Sequence, residues 1–392
     1  MRRSARKVAV ILRIANTPRD YAWGSTTAIA ELLGREPSGA PEAEYWLGDH
    51  PASPALIVDR PAVGRTLADV TAQTSAGRLP FLMKVLAAAE PLSLQVHPTL
   101  AQAAEGFARE NAAGLALDDP RRSYKDDLHK PELVYALSDP FIALSGFRPV
   151  AESRRELAAV GDAGVLALVE RLDSDDALSA IISWMLDPAS DIGPLVDALV
   201  AYATTIDTEP ERDPEGTWAT VRRLAARYPG DPGVAISTLM NTVVLRPGEA
   251  LYLPAGNLHS YQEGLGIEVM AASDNVVRGG LTPKHVDVDE LLAILDARPL
   301  PAPRREPEVP QPGVRVFRPD VPDFSLTVVE GEALVDGCLV GGDGPSILLC
   351  LEGQVSVDGQ ATATQGDAYY VSTGPVELSG TGRVVIAGGN DG

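Results

Sequence analysis

Residues 79–98, LPFLMKVLAAAEPLSLQVHP, decide the fold of this chain, because they predict two β-strands on either side of a turn at Glu90-Pro91. Side chains alternate between the two faces of a strand, so Gln95 and His97 are expected to point the same way. The stretch therefore predicts a sheet that presents two potential metal ligands side by side on one face.

A second stretch, LHKPELVY at 128–135, repeats this alternation and places Lys130 and Glu132 on one face of a predicted strand. Zinc takes nitrogen and oxygen ligands and, in catalytic sites, leaves a position for water or substrate. The chain could offer such an ion one amide oxygen, two imidazole nitrogens and one carboxylate, from Gln95, His97, Glu132 and His259. The sequence thus predicts a divalent-metal site, although each histidine taken singly is also compatible with a structural role in the core.

The remaining sequence alternates between strand and helix patterns and predicts a mainly β protein with an α-helical insertion. Helical periodicity appears at 99–114, throughout 150–232 and again at 286–297. Many short strands with glycine and proline turns are typical of β-barrels or sandwiches. LRPGEALYLPAG at 245–256 resembles TQGDAYYVSTG at 364–374, so a second, degenerate barrel without histidine ligands is expected near the C-terminus.

These patterns divide the chain into four predicted regions. They are a discontinuous catalytic domain at 1–149 and 233–298, a helical insertion at 150–232, a Pro-rich linker at 299–313 and a C-terminal β-barrel domain at 314–392. The N-terminal segment MRRSARKVAVILRIANTP is expected to be an extended first strand, not a signal peptide, because Arg13 interrupts its apolar run.

The charge of the chain limits its partners. The formal net charge is −21, from 33 basic and 54 acidic residues, which disfavours nucleic acid and anionic membranes. No apolar stretch is long enough for a membrane span. An anionic metabolite would need a local cationic site, and lysine is a compact charge that binds phosphate. Besides Lys7, the chain has four lysines, all within or beside the histidine-containing stretches: Lys84, Lys125, Lys130 and Lys284.

Cys338 and Cys350 lack metal-ligand spacing, so they are predicted to be reduced core residues of a cytoplasmic protein. Histidines at 50, 129 and 285 are expected to be structural or exposed, with second-sphere hydrogen bonds as an alternative at 50 and 285.

Five stretches resemble type I phosphomannose isomerase, also called mannose-6-phosphate isomerase. They are YAWGS at 21–25, AEYWLGDHPASPA at 43–55, the stretch at 79–98, YKDDLHKPELVYAL at 124–137 and LRPGEALYLPAGNLHSYQEGLGIEVMAASDNVVRGGLTPKHVDV at 245–288. They occur in the family's order across the predicted catalytic domain. Ala22 stands where the family usually has Asp, and Gly279 where it usually has Ala.

The resemblance implies jelly-roll-like cupin β-barrels, with one zinc ion per chain on the four ligands named above. It also implies an enzyme that interconverts mannose 6-phosphate and fructose 6-phosphate through an enediol. Separately from the resemblance, a monomer is expected. Such a reaction needs a polarised carbonyl, a base near C1 and C2, and cations that hold the phosphate and stabilise an oxyanion.

The resemblance and the local sequence suggest a role for eight further residues. Arg278 is the predicted oxyanion stabiliser or proton relay, and the acid/base candidates are Lys130, Glu268 and Asp274. For Glu268 and Asp274, a salt bridge to Arg278 or Lys284 is the alternative to a catalytic role. Predicted substrate contacts are Lys284, with Ser93 and Lys84 as companions. Tyr261 is predicted to line the sugar pocket, with a place in the core, where aromatic residues on strands usually lie, as the alternative.

Two other functions fit parts of the sequence. An iron-dependent cupin oxygenase would also use mixed imidazole and carboxylate ligands. A non-enzymatic sugar-binding cupin would bind its ligand without turnover. The lysines and the SDNVVRGGLTPKH stretch at 273–285 favour the isomerase over both.

Overall fold

The computed structural model describes residues 9–74, 77–206 and 216–390. Residues 1–8 of the predicted first strand, which include Lys7, and nine residues of the predicted helical insertion lie outside these ranges. The first seven strands are β1 (Ile11–Ala15), β2 (Glu44–Leu47), β3 (Leu56–Ile57), β4 (Phe81–Ala88), β5 (Leu94–Val96), β6 (Glu132–Ala136) and β7 (Phe141–Phe147). Three helices lie between them: α1 (Ala28–Leu32), α2 (Leu67–Thr71) and α3 (Leu100–Ala112).

Every regular element that the structure describes within the predicted helical insertion is a helix. These helices are α4 (Val150–Ala158), α5 (Ala163–Arg171), α6 (Leu178–Leu186), α7 (Gly193–Thr205) and α8 (Thr217–Arg227). One more helix, α9 (Pro232–Ser237), extends past the predicted end of the insertion at residue 232 into residues that the sequence assigned to the catalytic region. Strands then resume with β8 (Met240–Leu245), β9 (Ala250–Leu253), β10 (His259–Ala271) and β11 (Val277–Gly280), followed by helix α10 (Val288–Ile294).

The C-terminal part is almost entirely β. It contains β12 (Glu308–Gln311), β13 (Val314–Phe317), β14 (Ser325–Glu330), helix α11 (Glu332–Asp336), β15 (Cys338–Val340), β16 (Ser346–Val357), β17 (Ala361–Thr364), β18 (Ala368–Val371) and β19 (Val376–Gly388). The predicted class, mainly β with a helical insertion, is confirmed.

The strands form two sheets. One has the order β11-β5-β10-β4-β2, with β6 and β7 also paired to β10, β9 paired to β6 and β8 paired to β7. The other has the order β12-β13-β14-β19-β16-β18-β1-β3, with β15 paired to β19 and β17 to β16. The sheets share a buried core to which Met83 and Ile267 contribute from the first sheet, and Phe317 and Leu326 from the second.

Two further details differ from the sequence-based prediction. The segment 299–313 is not an extended linker throughout, since Glu308–Gln311 forms β12 and pairs with β13. An edge strand tolerates Pro310 because one side of its backbone needs no partner. In addition, β1 hydrogen bonds to β18 and β3, so the second sheet begins with residues that the sequence assigned to the catalytic region. The domain bounds themselves stay a prediction.

The long strand β10 organises the first sheet around the predicted site. His259 at its beginning lies opposite Gln95 of β5, and Met270 near its end lies opposite Glu132 of β6. On β5, Leu94 and Val96 pack into the core formed with the helical insertion. Gln95 points away from that core, as strand alternation predicts. Among the described residues, none of the helices is long and apolar enough to span a bilayer.

Candidate metal centre and cleft

The structure brings together three of the four predicted metal ligands in a buried cluster. His97, Glu132 and His259 each offer one ligand atom, and these atoms lie within 4.8 Å of one another. His97 Nε2 lies 3.1 Å from one Glu132 carboxylate oxygen, and His259 Nε2 lies 3.4 Å from the other. A divalent cation is the species that such a set of nitrogen and oxygen donors attracts.

The protonation of the two rings supports this interpretation. Nδ1 of His97 lies 2.8 Å from the carbonyl oxygen of Asn275, and Nδ1 of His259 lies 2.9 Å from that of Asn257. A carbonyl can only accept, so Nδ1 carries the proton in each ring and a neutral ring keeps a lone pair on Nε2. Both Nε2 atoms are buried without a hydrogen-bond partner among the described residues. The donor set therefore fits a metal ion, which would use these lone pairs.

The charge of Glu132 is maintained by its surroundings. Lys130 Nζ lies 2.9 Å from Glu132 Oε1, and both side chains are buried. Burial alone would raise the pKa of the Glu132 carboxyl, but the ammonium of Lys130, followed by the His97 contact, holds that pKa well below its usual range. Glu132 is consequently ionised, as a carboxylate ligand of a metal ion must be, and Lys130 lies beside the cluster as the sequence predicts.

Gln95 lies next to the cluster through strand pairing. It is opposite His259 on one side of β5 and opposite Arg278 on the other. Its half-buried side chain lines a cleft of about 1370 Å³. Its role as the fourth ligand stays a prediction that this placement supports.

The cleft also contains most of the other predicted site residues. Its lining includes Ser93, Lys84, Lys130, Asp274, Arg278 and Lys284. Arg278 is half-buried on β11, and burial lowers the pKa of its guanidinium. Burial, and then repulsion by the charge of Arg278, lowers the pKa of Lys284, and both cations line the same cleft. An anion between them would relieve that repulsion.

Glu268 forms an ion pair with Lys84, and not with Arg278 or Lys284 as the sequence suggested. Its Oε2 lies 2.9 Å from Nζ of Lys84, which is opposite Glu268 in the pairing of β10 with β4. A second carboxylate, Glu44, lies 3.7 Å from the same ammonium. Burial favours the neutral amine, but these two acids raise the pKa of Lys84 above its ordinary value. The predicted salt bridge of Glu268 with Arg278 or Lys284 is therefore wrong.

Tyr261 contacts the cluster from the buried core and is not among the residues that line the cleft. It is 1% exposed, and its hydroxyl is 3.5 Å from Glu132 Oε2. The structure thus gives it a contact with a predicted metal ligand in place of the predicted contact with sugar, because its strand position directs the ring into the core.

The three remaining histidines have different surroundings. His50 is buried in the cleft, with Nε2 3.4 Å from Asp274 Oδ2 and its ring edge-on to Trp46 at 5.2 Å. His129 pairs with Asp323 at 2.9 Å, and His285 is exposed. The contact of His50 with Asp274 was not predicted, because the residues that meet there are more than 200 positions apart and show no local pattern.

The burial of His97 gives a testable pH dependence of stability. Burial, followed by the charge of Lys130, lowers the pKa of His97 from 6.5 to about 4. Between those pH values the unfolded chain binds a proton that the folded chain does not, so the free energy of unfolding of the metal-free protein should fall as the pH falls. The shift corresponds to roughly 3 kcal/mol at most, and His50, whose pKa burial also lowers, adds to it in the same direction.

Urea unfolding of the metal-free protein between pH 7.5 and pH 4.5 measures this dependence. His97→Gln, which removes the titrating group, should lose stability less steeply over the same range. An identical slope for the wild type and the variant would contradict the prediction.

Comparisons with known proteins show the family to which the chain belongs. A family model described as phosphomannose isomerase type I, catalytic domain, matches residues 11–150. The chain is 35% identical to mannose-6-phosphate isomerase of Salmonella typhimurium, over 95% of this chain and 98% of that protein. It is 32% identical to the human mannose-6-phosphate isomerase, over 95% of this chain and 92% of that protein.

The comparison with solved structures extends the similarity to the fold. A crystal structure of zinc-bound mannose 6-phosphate isomerase matches with a TM-score of 0.86 and 34% identity, over 97% of this chain and 99% of that one. The resemblance predicted from the sequence is therefore confirmed, and the chain belongs to the type I phosphomannose isomerase family.

Proposed function

We propose that this protein is a zinc-dependent aldose–ketose isomerase that interconverts mannose 6-phosphate and fructose 6-phosphate through an enediol. The observation that carries the proposal is the buried cluster of His97, Glu132 and His259, in which two imidazole nitrogens and one carboxylate oxygen lie within 4.8 Å of one another beside a cationic cleft. Together with Gln95, these residues would hold one zinc ion. When bound, zinc supplies a Lewis acid for the carbonyl and enediol oxygens.

The chain's own residues would supply the other requirements of the reaction. Arg278, half-buried in the cleft, would stabilise the negative charge that develops on the enediolate. Lys284 would bind the phosphate, with Ser93 and Lys84 as companions lining the same cleft. The ion pairs of Lys84 with Glu268 and Glu44 would keep it charged and fix its position.

Proton transfer between C1 and C2 requires an acid/base group that reaches the substrate. Of the three candidates, Lys130 and Asp274 line the cleft, whereas Glu268 is 2% exposed and paired with Lys84. We assign the acid/base work to Lys130 and Asp274, and to Glu268 the support of Lys84. Tyr261 would hold Glu132 in place through the hydrogen bond that its hydroxyl donates to Oε2.

An assay of mannose 6-phosphate conversion tests the proposed function. The zinc-loaded protein should produce fructose 6-phosphate, lose this activity with a chelator and regain it when zinc is restored. Failure of the zinc-loaded protein to convert the substrate would overturn the proposal. Oxygen consumption that depends on iron would point to an oxygenase, and sugar binding without turnover would point to a binding protein.

The four regions predicted from the sequence are proposed as the domain organisation, with β1 and β3 contributing strands to the C-terminal sheet. We also propose a cytoplasmic monomer. Cys338 and Cys350 are buried free thiols, as a reducing compartment permits. Sedimentation of the purified protein at several concentrations tests the monomer.

A further inference from the structure

The turn that carries Lys284 has a strained backbone. Leu281, three residues before this lysine, is fully buried and has a φ of 53°. A leucine rarely adopts this left-handed conformation, which typically costs on the order of 1–3 kcal/mol and persists only where the surroundings hold it in place. Something in the structure must therefore stabilise the turn at 281–284.

Asp231 provides that stabilisation from the end of the helical insertion. Its Oδ1 accepts a hydrogen bond from the backbone N–H of Leu281 at 2.8 Å, and its Oδ2 accepts one from the N–H of Thr282 at 3.2 Å. The turn continues with a hydrogen bond of 3.1 Å from the N–H of Lys284 to Thr282 Oγ1. A single carboxylate thus fixes the two peptide groups from which the lysine-bearing segment starts.

The packing between this turn and the helical insertion leaves little freedom. Asp231 Oδ1 also accepts from the N–H of Gly233 at 2.7 Å, at the start of α9. A Cβ at Gly233 would lie 2.7 Å from Leu281 Cγ, and one at Gly280 would lie 3.2 Å from Asp231 Oδ1. Since both positions lack a side chain, the two segments approach each other closely.

The charge of Asp231 argues against a direct role with an anion. Asp231 lines the same cleft as Arg278 and Lys284, and its carboxylate would repel a phosphate. Any benefit to phosphate binding must therefore come from its backbone hydrogen bonds.

We propose that Asp231 is a positioning residue for the phosphate of the substrate, because it holds the 281–284 turn in the conformation that places Lys284 in the same cleft as Arg278. The inference rests on the proposed function. It gives the helical insertion a part in the site, although none of that insertion's residues was assigned chemistry from the sequence.

Three variants test this role. Asp231→Ala removes both acceptors, so the KM for mannose 6-phosphate should rise at least about tenfold, or about 1.4 kcal/mol, with kcat and zinc content largely unchanged. Asp231→Asn removes the charge but keeps one carbonyl acceptor for Leu281, and should stay within about threefold of the wild type. Asp162→Ala removes a matched cap, whose Oδ1 accepts from Gly164 and Val165 at the start of α5, and should change neither KM nor kcat.

A binding measurement makes the test independent of turnover. Calorimetric titration of the zinc-loaded proteins with mannitol 6-phosphate, which has no carbonyl to isomerise, should show the same tenfold loss for Asp231→Ala. Mannitol without phosphate serves as the reference ligand, and its affinity should not change. If the wild type binds mannitol 6-phosphate but fails to isomerise mannose 6-phosphate, the proposed function fails, while this titration still decides the role of Asp231.

Three outcomes would overturn the inference. Wild-type affinity of Asp231→Ala for mannitol 6-phosphate would remove the positioning role. Tighter binding by both Asp231→Ala and Asp231→Asn would show that only the charge of Asp231 matters. Asp231→Ala could instead lose kcat, zinc and folded protein to the same extent, with no selective loss of affinity for mannitol 6-phosphate over mannitol. That result would show that Asp231 serves only to cap helix α9.

Discussion

Replacing Glu132 with glutamine should weaken zinc binding by at least about 100-fold, because loss of even an outer partner of a metal ligand typically costs about 10- to 100-fold. The variant keeps the shape of the side chain but removes its negative charge. Side-chain nitrogens of His97, His259 and Lys130 all lie within 3.4 Å of that carboxylate. Dialysis against a graded series of chelator concentrations, followed by measurement of metal content, gives the affinity.

Glu263→Gln is the matched control for this variant. Glu263 lies on β10 as His259 does, but it pairs with Arg223 at 3.0 Å and is about half exposed, so zinc binding should be unchanged. Gln95→Ala tests the amide ligand in the same dialysis and should also release zinc. Full retention of zinc by Glu132→Gln at chelator concentrations that strip neither the wild type nor the control would contradict the assigned centre.

Arg278→Ala should lower kcat by about 100- to 1000-fold, the usual effect of removing a donor that stabilises an oxyanion. Arg278 is half-buried, lines the cleft and lies opposite Gln95 in the pairing of β11 with β5. Since the variant leaves the buried cluster intact, it should retain zinc. Steady-state kinetics with mannose 6-phosphate, together with metal analysis, measures both quantities.

Arg223→Ala provides a control for the loss of one arginine, because Arg223 lies on α8 and pairs with Glu263 outside the cleft. Its kcat should match that of the wild type. Unimpaired turnover by Arg278→Ala would exclude Arg278 from the chemistry. Loss of zinc in this variant would instead indicate that Arg278 supports the metal centre.

The sequence was most informative where the chemistry follows strand alternation or a family motif. Local pattern and resemblance account for the strands within 79–98 and 128–135 and for the convergence of His97, Glu132 and His259. The pair of Lys84 with Glu268 could not be predicted in the same way. It depends on the register of β10 against β4, and nothing in either segment specifies which residues lie opposite each other.

Contacts between distant segments account for the other differences. Asp231 reaches Leu281 and Thr282 only because the end of the helical insertion packs on that turn. His50 meets Asp274 only within the folded cleft. Tyr261 showed the pattern of a strand aromatic, but only the fold reveals that its hydroxyl approaches Glu132.

The pairing of β1 with β18 has a consequence for how this protein is made. Ile11 lies opposite Val371, and Ile14 lies opposite Ala368. During synthesis, β1 must wait for β18, its partner strand, whose residues are translated roughly 350 positions later. Such long-range closure slows folding, and it leaves the apolar residues of β1 without this partner on the nascent chain until β18 has been made. Shortened versions of the protein that stop before residue 368 would lack this partner for β1, so we expect them to aggregate.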